Sequence, residues 1–166
     1  AYEFRYLENL VSEEVLFSPF SIKVPKGFNR FHKKDLDILK NKIDNDPGSF
    51  FNKETIHGFS DSLNTAFIIS VVKDNNLLKR LDKDYKNYLI ETNEEVVKNQ
   101  YSVNNIKAVQ YQTKKKINNI SFTNLKIFLI NGDSGNYLLD FIILDRNFNN
   151  KLYSIESSLS TLKRKK

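Results

Sequence analysis

The clearest pattern of apolar and polar positions lies between residues 106 and 163. Two apolar runs, residues 120–131 (ISFTNLKIFLIN) and 136–145 (NYLLDFIILD), flank Gly132-Asp133-Ser134-Gly135. Successive strand side chains point to opposite faces. In the second run Tyr137, Leu139, Phe141 and Ile143 therefore share one face, and Leu138, Ile142 and Leu144 the other, broken only by Asn136 and Asp140. A strand apolar on both faces needs cover on both. In the first run Ile120 and Phe122 have one parity and Leu125, Ile127 and Leu129 the other. That leaves two readings: a strand buried on both sides, or a bulge near Thr123-Asn124. The Gly-Asp-Ser-Gly connection supplies residues that accept positive φ in a tight hairpin. Residues 149–163 then read as a helix, with Leu152, Ile155, Leu159 and Leu162 inward and Asn149 as its cap. Three residues separate strand from helix, so the helix must fold back over its own sheet and bury Phe141 against Ile155 or Leu159.

The rest of the chain supplies strands and two more helices. Residues 2–7 (YEFRYL) read as an opening strand or a docked tail. Residues 15–25 (VLFSPFSIKVP) read as a strand pair, with Pro19 at an edge or break. Leu36, Leu39 and Ile43 predict a helix over 33–45, stopped by Asp46-Pro47-Gly48. Residues 49–64 are the least regular stretch, an ordered loop with one short strand. Residues 65–73 form another strand apolar on both parities. Leu77, Leu81, Tyr85, Tyr88, Leu89 and Val96 predict one long helix over 75–100, capped by Asp74 or Asn75. Residues 106–116 form a strand with Val109 and Tyr111 on one face. The expectation is one α+β domain, residues 1–166, with an antiparallel sheet covered by helices on both faces as a three-layer α/β/α sandwich. A two-layer α+β fold is the alternative. Residues 1–15 form the opening strand or docked tail of that domain.

Composition narrows the chemistry. The 166-residue chain has no cysteine, which removes disulfides and thiolate metal sites. It has no methionine either, so Ala1 raises the expectation of a cleaved leader or lipid anchor upstream. No stretch is long and apolar enough to span a bilayer. The net charge of +6 is carried by lysine, with arginine scarce and asparagine frequent. This reads first as compositional bias and second as an electrostatic footprint.

Each catalytic signature has a plainer reading. Gly132-Asp133-Ser134-Gly135 matches the core of the chymotrypsin-like nucleophile motif, but Asn136-Tyr137 follow and no triad accompanies it, so it reads as a turn. Gly58-Phe59-Ser60-Asp61-Ser62 is a broken nucleophile elbow, with Ser where the last Gly belongs. His32 and His57 have no metal-ligand spacing. The pairs Glu13-Glu14 and Glu94-Glu95 sit in polar stretches without the burial that separates catalytic pKa values. Lys114, Lys115 and Lys116 form the densest internal basic run and the one candidate contact for an anionic partner. Tyr111 and Phe122 lie near enough in sequence to suggest base stacking, although Tyr111 falls on the core face.

Phe20-Ser21-Ile22-Lys23-Val24-Pro25-Lys26-Gly27-Phe28 resembles the F-S-I-x-x-P-x-x-aromatic strand that opens PsbP-like and Mog1-like domains. Residues 140–163 resemble their late strand and C-terminal helix, with the Ser-Ser pattern at Ile155-Glu156-Ser157-Ser158-Leu159. The resemblance covers residues 16–163. It implies an α/β/α sandwich and non-catalytic roles, including protein-binding accessories and small exported or lipoprotein-type members, but fold does not transfer function. The leading expectation is a non-enzymatic exported or envelope-associated accessory domain with a protein partner and no cofactor or metal. Nucleic-acid or anionic-surface binding through the lysines is the first alternative. A hydrolase acting through Ser134 or Ser60 is the second.

Overall fold

A computed structural model describes residues 4, 6–44, 50–63, 65–74, 76–131 and 135–165. Several sequence expectations lie outside the described residues: the Asp46-Pro47-Gly48 stop, the Asn75 cap, Gly132-Asp133-Ser134, residues 2, 3 and 5, and the side chains of Leu39 and Ile43.

Strand is the dominant element of this antiparallel α+β domain. Its central sheet contains β3 (Asn29–Arg30), β4 (Lys53–Ser60), β5 (Ala66–Val72), β6 (Glu95–Val103), β7 (Ile106–Ile117), β8 (Ile120–Ile130) and β9 (Asn136–Leu144). They lie in the order β3-β4-β5-β9-β8-β7-β6, every pair antiparallel. A smaller sheet joins β1 (Val11–Phe17), β2 (Phe20–Pro25) and β10 (Lys163–Arg164), with β2 in the middle. The helices are α1 (Lys33–Asp44), α2 (Leu77–Arg80), α3 (Lys86–Thr92) and α4 (Phe148–Ser160), with a π-helical turn, Leu81–Tyr85, joining α2 to α3.

Local chemistry explains the hairpins. Asn104-Asn105 and Asn118-Asn119 all have positive φ, between 48° and 65°. Each pair makes the two-residue connection whose twist matches that of the flanking strands, and Asn tolerates that conformation better than most residues. The β7–β8 register runs unbroken from Lys107↔Ile130 to Ile117↔Ile120. No bulge occurs at Thr123-Asn124, so β8 is the strand buried on both sides.

Two buried clusters result. On one face of the central sheet, Phe59, Phe67, Ile69, Leu125, Ile127, Leu139 and Phe141 meet Phe20, Ile22 and Val24 of the small sheet and Ile155, Leu159 and Leu162 at the C-terminal end. Phe141 is fully buried there, in one cluster with Ile155 and Leu159, as the short connection requires. On the other face, Val109, Tyr111, Phe128 and Leu138 pack with Leu77, Leu81, Tyr85 and Leu89. Helix therefore covers one face, while the small sheet and α4 share the other. The reason is that β2 is itself apolar and buried along nearly its whole length, so it demands burial as a layer of its own.

Three boundaries differ from expectation. The helical stripe ends at Thr92, and 95–103 is a strand, so Val96 belongs to β6. Asn93 closes the last turn with its side-chain amide on the Leu89 carbonyl, 3.0 Å away, and the β-branched pair Val96-Val97 then favours extension. The irregular stretch holds the eight-residue strand β4. Gly58 lets α1 approach it: a Cβ there would stand 2.9 Å from the Phe31 ring and 3.1 Å from Leu36. Finally, α4 begins at Phe148, so Asn149 is not its cap.

Candidate functional site

The three lysines of the basic run do not form one patch. They occupy consecutive strand positions, so Lys115 faces one way and Lys114 and Lys116 the other. Lys114 lies 3.9 Å from the Glu95 carboxylate and 3.8 Å from that of Asp145, which largely offsets its charge. Lys115 and Lys116 are exposed.

The hairpin that carries them outruns its neighbours. The last β6 rung is Glu95↔Lys114, and the last β9 rung is Phe122↔Leu144. The Lys116↔Ser121 and Ile117↔Ile120 rungs thus have no flanking strand on either side. Ile117 and Ile120, directly paired, are each 51% exposed. Beside this tip Asn119, Ile120, Ser121, Leu144, Asp145 and Arg146 line a shallow depression of about 460 Å³.

Neither aromatic suggested for stacking presents a fully exposed ring. Tyr111 is fully buried, and its hydroxyl donates to the Leu81 carbonyl at 2.8 Å. Burial, with the nearby charge of Asp82, pushes its phenol up to about 12. Phe122 is half-buried.

The residues of the catalytic signatures are dispersed. His57 joins the two sheets: one ring nitrogen, Nε2, sits 3.0 Å from the Leu16 carbonyl and the other, Nδ1, 3.3 Å from the Arg30 guanidinium. Donation from Nε2 to the carbonyl leaves Nδ1 to accept from Arg30. Burial lowers its pKa, the Arg30 charge lowers it further, and the Leu16 contact opposes both. The β4–β5 register is regular from His57 to Ser60, so these two residues project from opposite faces of the sheet. His32 is exposed beside the start of α1. Ser134 lies outside the described residues. Glu13 and Glu14 part company: Glu13 lies 3.5 Å from Arg30, while Glu14 accepts from Ser21 at 3.0 Å and pairs with Lys163 and Lys165. The Ser21 hydroxyl, followed by Lys165, holds the Glu14 carboxyl below its ordinary range. Among the described residues, no three His, Cys, Asp or Glu side chains converge as metal ligands.

Two buried polar groupings escaped the sequence reading. Asp140, in the middle of β9, accepts from the Asn124 amide and lies 3.2 Å from the Lys126 ammonium, with both charged side chains mostly buried. Asn124 also donates to the Phe141 carbonyl at 2.7 Å. Burial and then the charge of Asp140 raise the Tyr85 phenol well above its ordinary value. The signal was present, since Asp140 breaks an apolar face, but its partners depend on the β8–β9 register. The second is Asp61, whose carboxylate takes the Leu63 and Thr65 amides, each at 2.9 Å, and the Lys151 ammonium of α4 at 2.5 Å. Burial raises the Asp61 pKa, but Lys151 and the two amides outweigh it and hold the carboxyl low.

The Ser-Ser pattern of the last helix is structural. Ser157 Oγ accepts the Leu7 amide at 3.0 Å, and Ser158 Oγ donates to the Lys23 carbonyl at 2.5 Å. Thr161 Oγ1 accepts the Lys23 amide at 2.8 Å. Ser158 and Thr161 clamp the helix end onto β2, and Ser157 ties down the segment that precedes β1.

No protein-family profile and no curated protein sequence matches the chain. Solved structures do match its fold. LpqN of Mycobacterium tuberculosis, described as involved in cell envelope biogenesis, aligns with a TM-score of 0.53 at 10% identity, covering 89% of this chain and 83% of LpqN. PA94 of Pseudomonas aeruginosa, described as a protein of unknown function and putative regulator, aligns with a TM-score of 0.53 at 8% identity, covering 93% of this chain and 97% of that one. A Bacteroides thetaiotaomicron protein aligns with a TM-score of 0.54 at 13% identity over 89% of this chain, which spans 46% of that longer one. At these identities the likeness is one of fold. No helix among the described residues is long and apolar enough to cross a membrane.

Proposed function

We infer that this chain is a non-catalytic, envelope-associated accessory domain that works by docking to a protein partner. Its two-sided cover is read as a variant of the PsbP-like and Mog1-like α/β/α sandwich, in which a small sheet supplements the helices on one face. The observation that carries the envelope reading is the shared fold with LpqN, which extends over most of both chains. The non-catalytic reading draws on the geometry of His57, both of whose ring nitrogens are engaged: Nε2 with the Leu16 carbonyl of the small sheet and Nδ1 with the Arg30 guanidinium of the neighbouring strand β3. Its placement opposite Ser60 leaves neither residue positioned to activate the other.

Fractionation of the full-length gene product in its own cells tests this reading. Recovery with the envelope or the exported fraction is the expected result. Recovery wholly with cytosolic markers would overturn the envelope assignment.

A further inference from the structure

The geometry points to the free end of the β7–β8 hairpin as a contact with an anionic phospholipid bilayer. The inference rests on the hairpin alone and does not depend on the envelope assignment. Two rungs project past the neighbouring strands. A two-residue Asn-Asn turn with positive φ closes them, a connection that makes no demand for apolar neighbours. Yet the residues on either side are isoleucines, each half-exposed. Lys115 and Lys116 stand immediately behind them, both exposed, and residues 115–122 contain no acidic side chain.

An apolar tip backed by lysines matches the boundary of an anionic leaflet. The aliphatic side chains enter the acyl edge, while the ammonium groups remain at the headgroup phosphates. Each lysine near such a surface strengthens binding about fivefold. The other occupants fit less well. Single-stranded nucleic acid calls for exposed aromatic faces, whereas Tyr111 is buried and Phe122 half-buried. A second copy docked tip to tip would set Lys115 and Lys116 against themselves. A globular protein interface of ordinary size uses about 800 Å² on each partner, more than a convex tip of two rungs presents. A bilayer, being deformable, accepts a convex tip.

The chain lacks cysteine, so Ser121→Cys gives a single attachment point for an environment-sensitive fluorophore on the projecting rungs. The probes are phosphatidylcholine vesicles with and without phosphatidylglycerol, at low salt. The expected result is a blue-shifted, brighter signal with the anionic vesicles and affinity at least tenfold weaker for the neutral ones. Lys115→Glu/Lys116→Glu and Ile117→Ser/Ile120→Ser should each weaken anionic-vesicle binding tenfold or more without lowering the melting temperature. Lys33→Glu/Lys34→Glu, the same charge change on exposed positions of α1, should have a much smaller effect. Equal binding to neutral vesicles, an equal loss in the α1 variant, or vesicle binding with no fluorophore response would overturn the proposal. So would a response caused by concentration-dependent dimerisation or by RNA instead of lipid. Failure here would leave the cellular fractionation result unaffected, so the two readings fall separately.

Discussion

Phe67 and Phe141 lie directly opposite each other on β5 and β9, and their rings stack with centroids 4.2 Å apart and planes within 7°. The pair sits at the centre of the sheet face that meets the small sheet and the C-terminal helix. Phe59 extends the stack, 5.9 Å from Phe67.

Truncating a buried Phe typically costs about 3–5 kcal/mol, through lost transfer energy and the cavity left behind. Against a usual domain stability of about 5–15 kcal/mol, Phe141→Ala should sharply lower the melting temperature or prevent folding. Lys115→Ala, on an exposed rung, should change it little. Paired thermal melts of the two variants check the contrast.

The Asp140–Lys126 pair gives a second test. Removing one member of a buried ion pair strands the other and typically costs about 3–5 kcal/mol. Lys126→Met should therefore destabilise the domain strongly in a urea titration. Adding Asp140→Asn to that variant should recover part of the loss, since the neutral amide needs no counter-charge. Additive losses would mean that the two charges do not interact.

Asp61 makes a prediction about acid. Its pKa is depressed in the fold from an ordinary 3.8, so its contribution to stability is fully present well above that value. The contribution fades as pH falls below the ordinary value and through the depressed one. Asp61→Asn should lower stability at pH 7 while bringing the variant and the parent closer together as pH falls below about 4. The pH dependence of the urea midpoint checks this. A constant difference between the two proteins from pH 7 to pH 3 would contradict it.

Much of the fold was legible because it depends on local pattern. The alternation through residues 136–144 marked a two-sided central strand, and its three-residue link to the last helix placed Phe141. What stayed hidden depends on contacts distant in sequence. Val96 falls seven residues after Leu89, in step with the helical stripe, so periodicity alone could not reveal the break at Asn93. β4 is polar at several positions because it lies near the sheet edge, flanked by two-residue β3, and its one glycine marks an approaching helix. Lys114, Lys115 and Lys116 looked like one basic patch in sequence. Strand alternation and the carboxylates of Glu95 and Asp145 divide it. Ile120 looked like an ordinary position in an apolar run, and only the register shows that it and its partner Ile117 lie beyond the flanking strands.

The central claim is that this domain acts by docking and carries no activated nucleophile, and serine reactivity tests it most directly. The native protein, incubated with a fluorophosphonate probe beside an authentic serine hydrolase, should remain unlabelled while the control reacts. Labelling abolished by Ser134→Ala or Ser60→Ala in a protein that still melts normally would contradict the account.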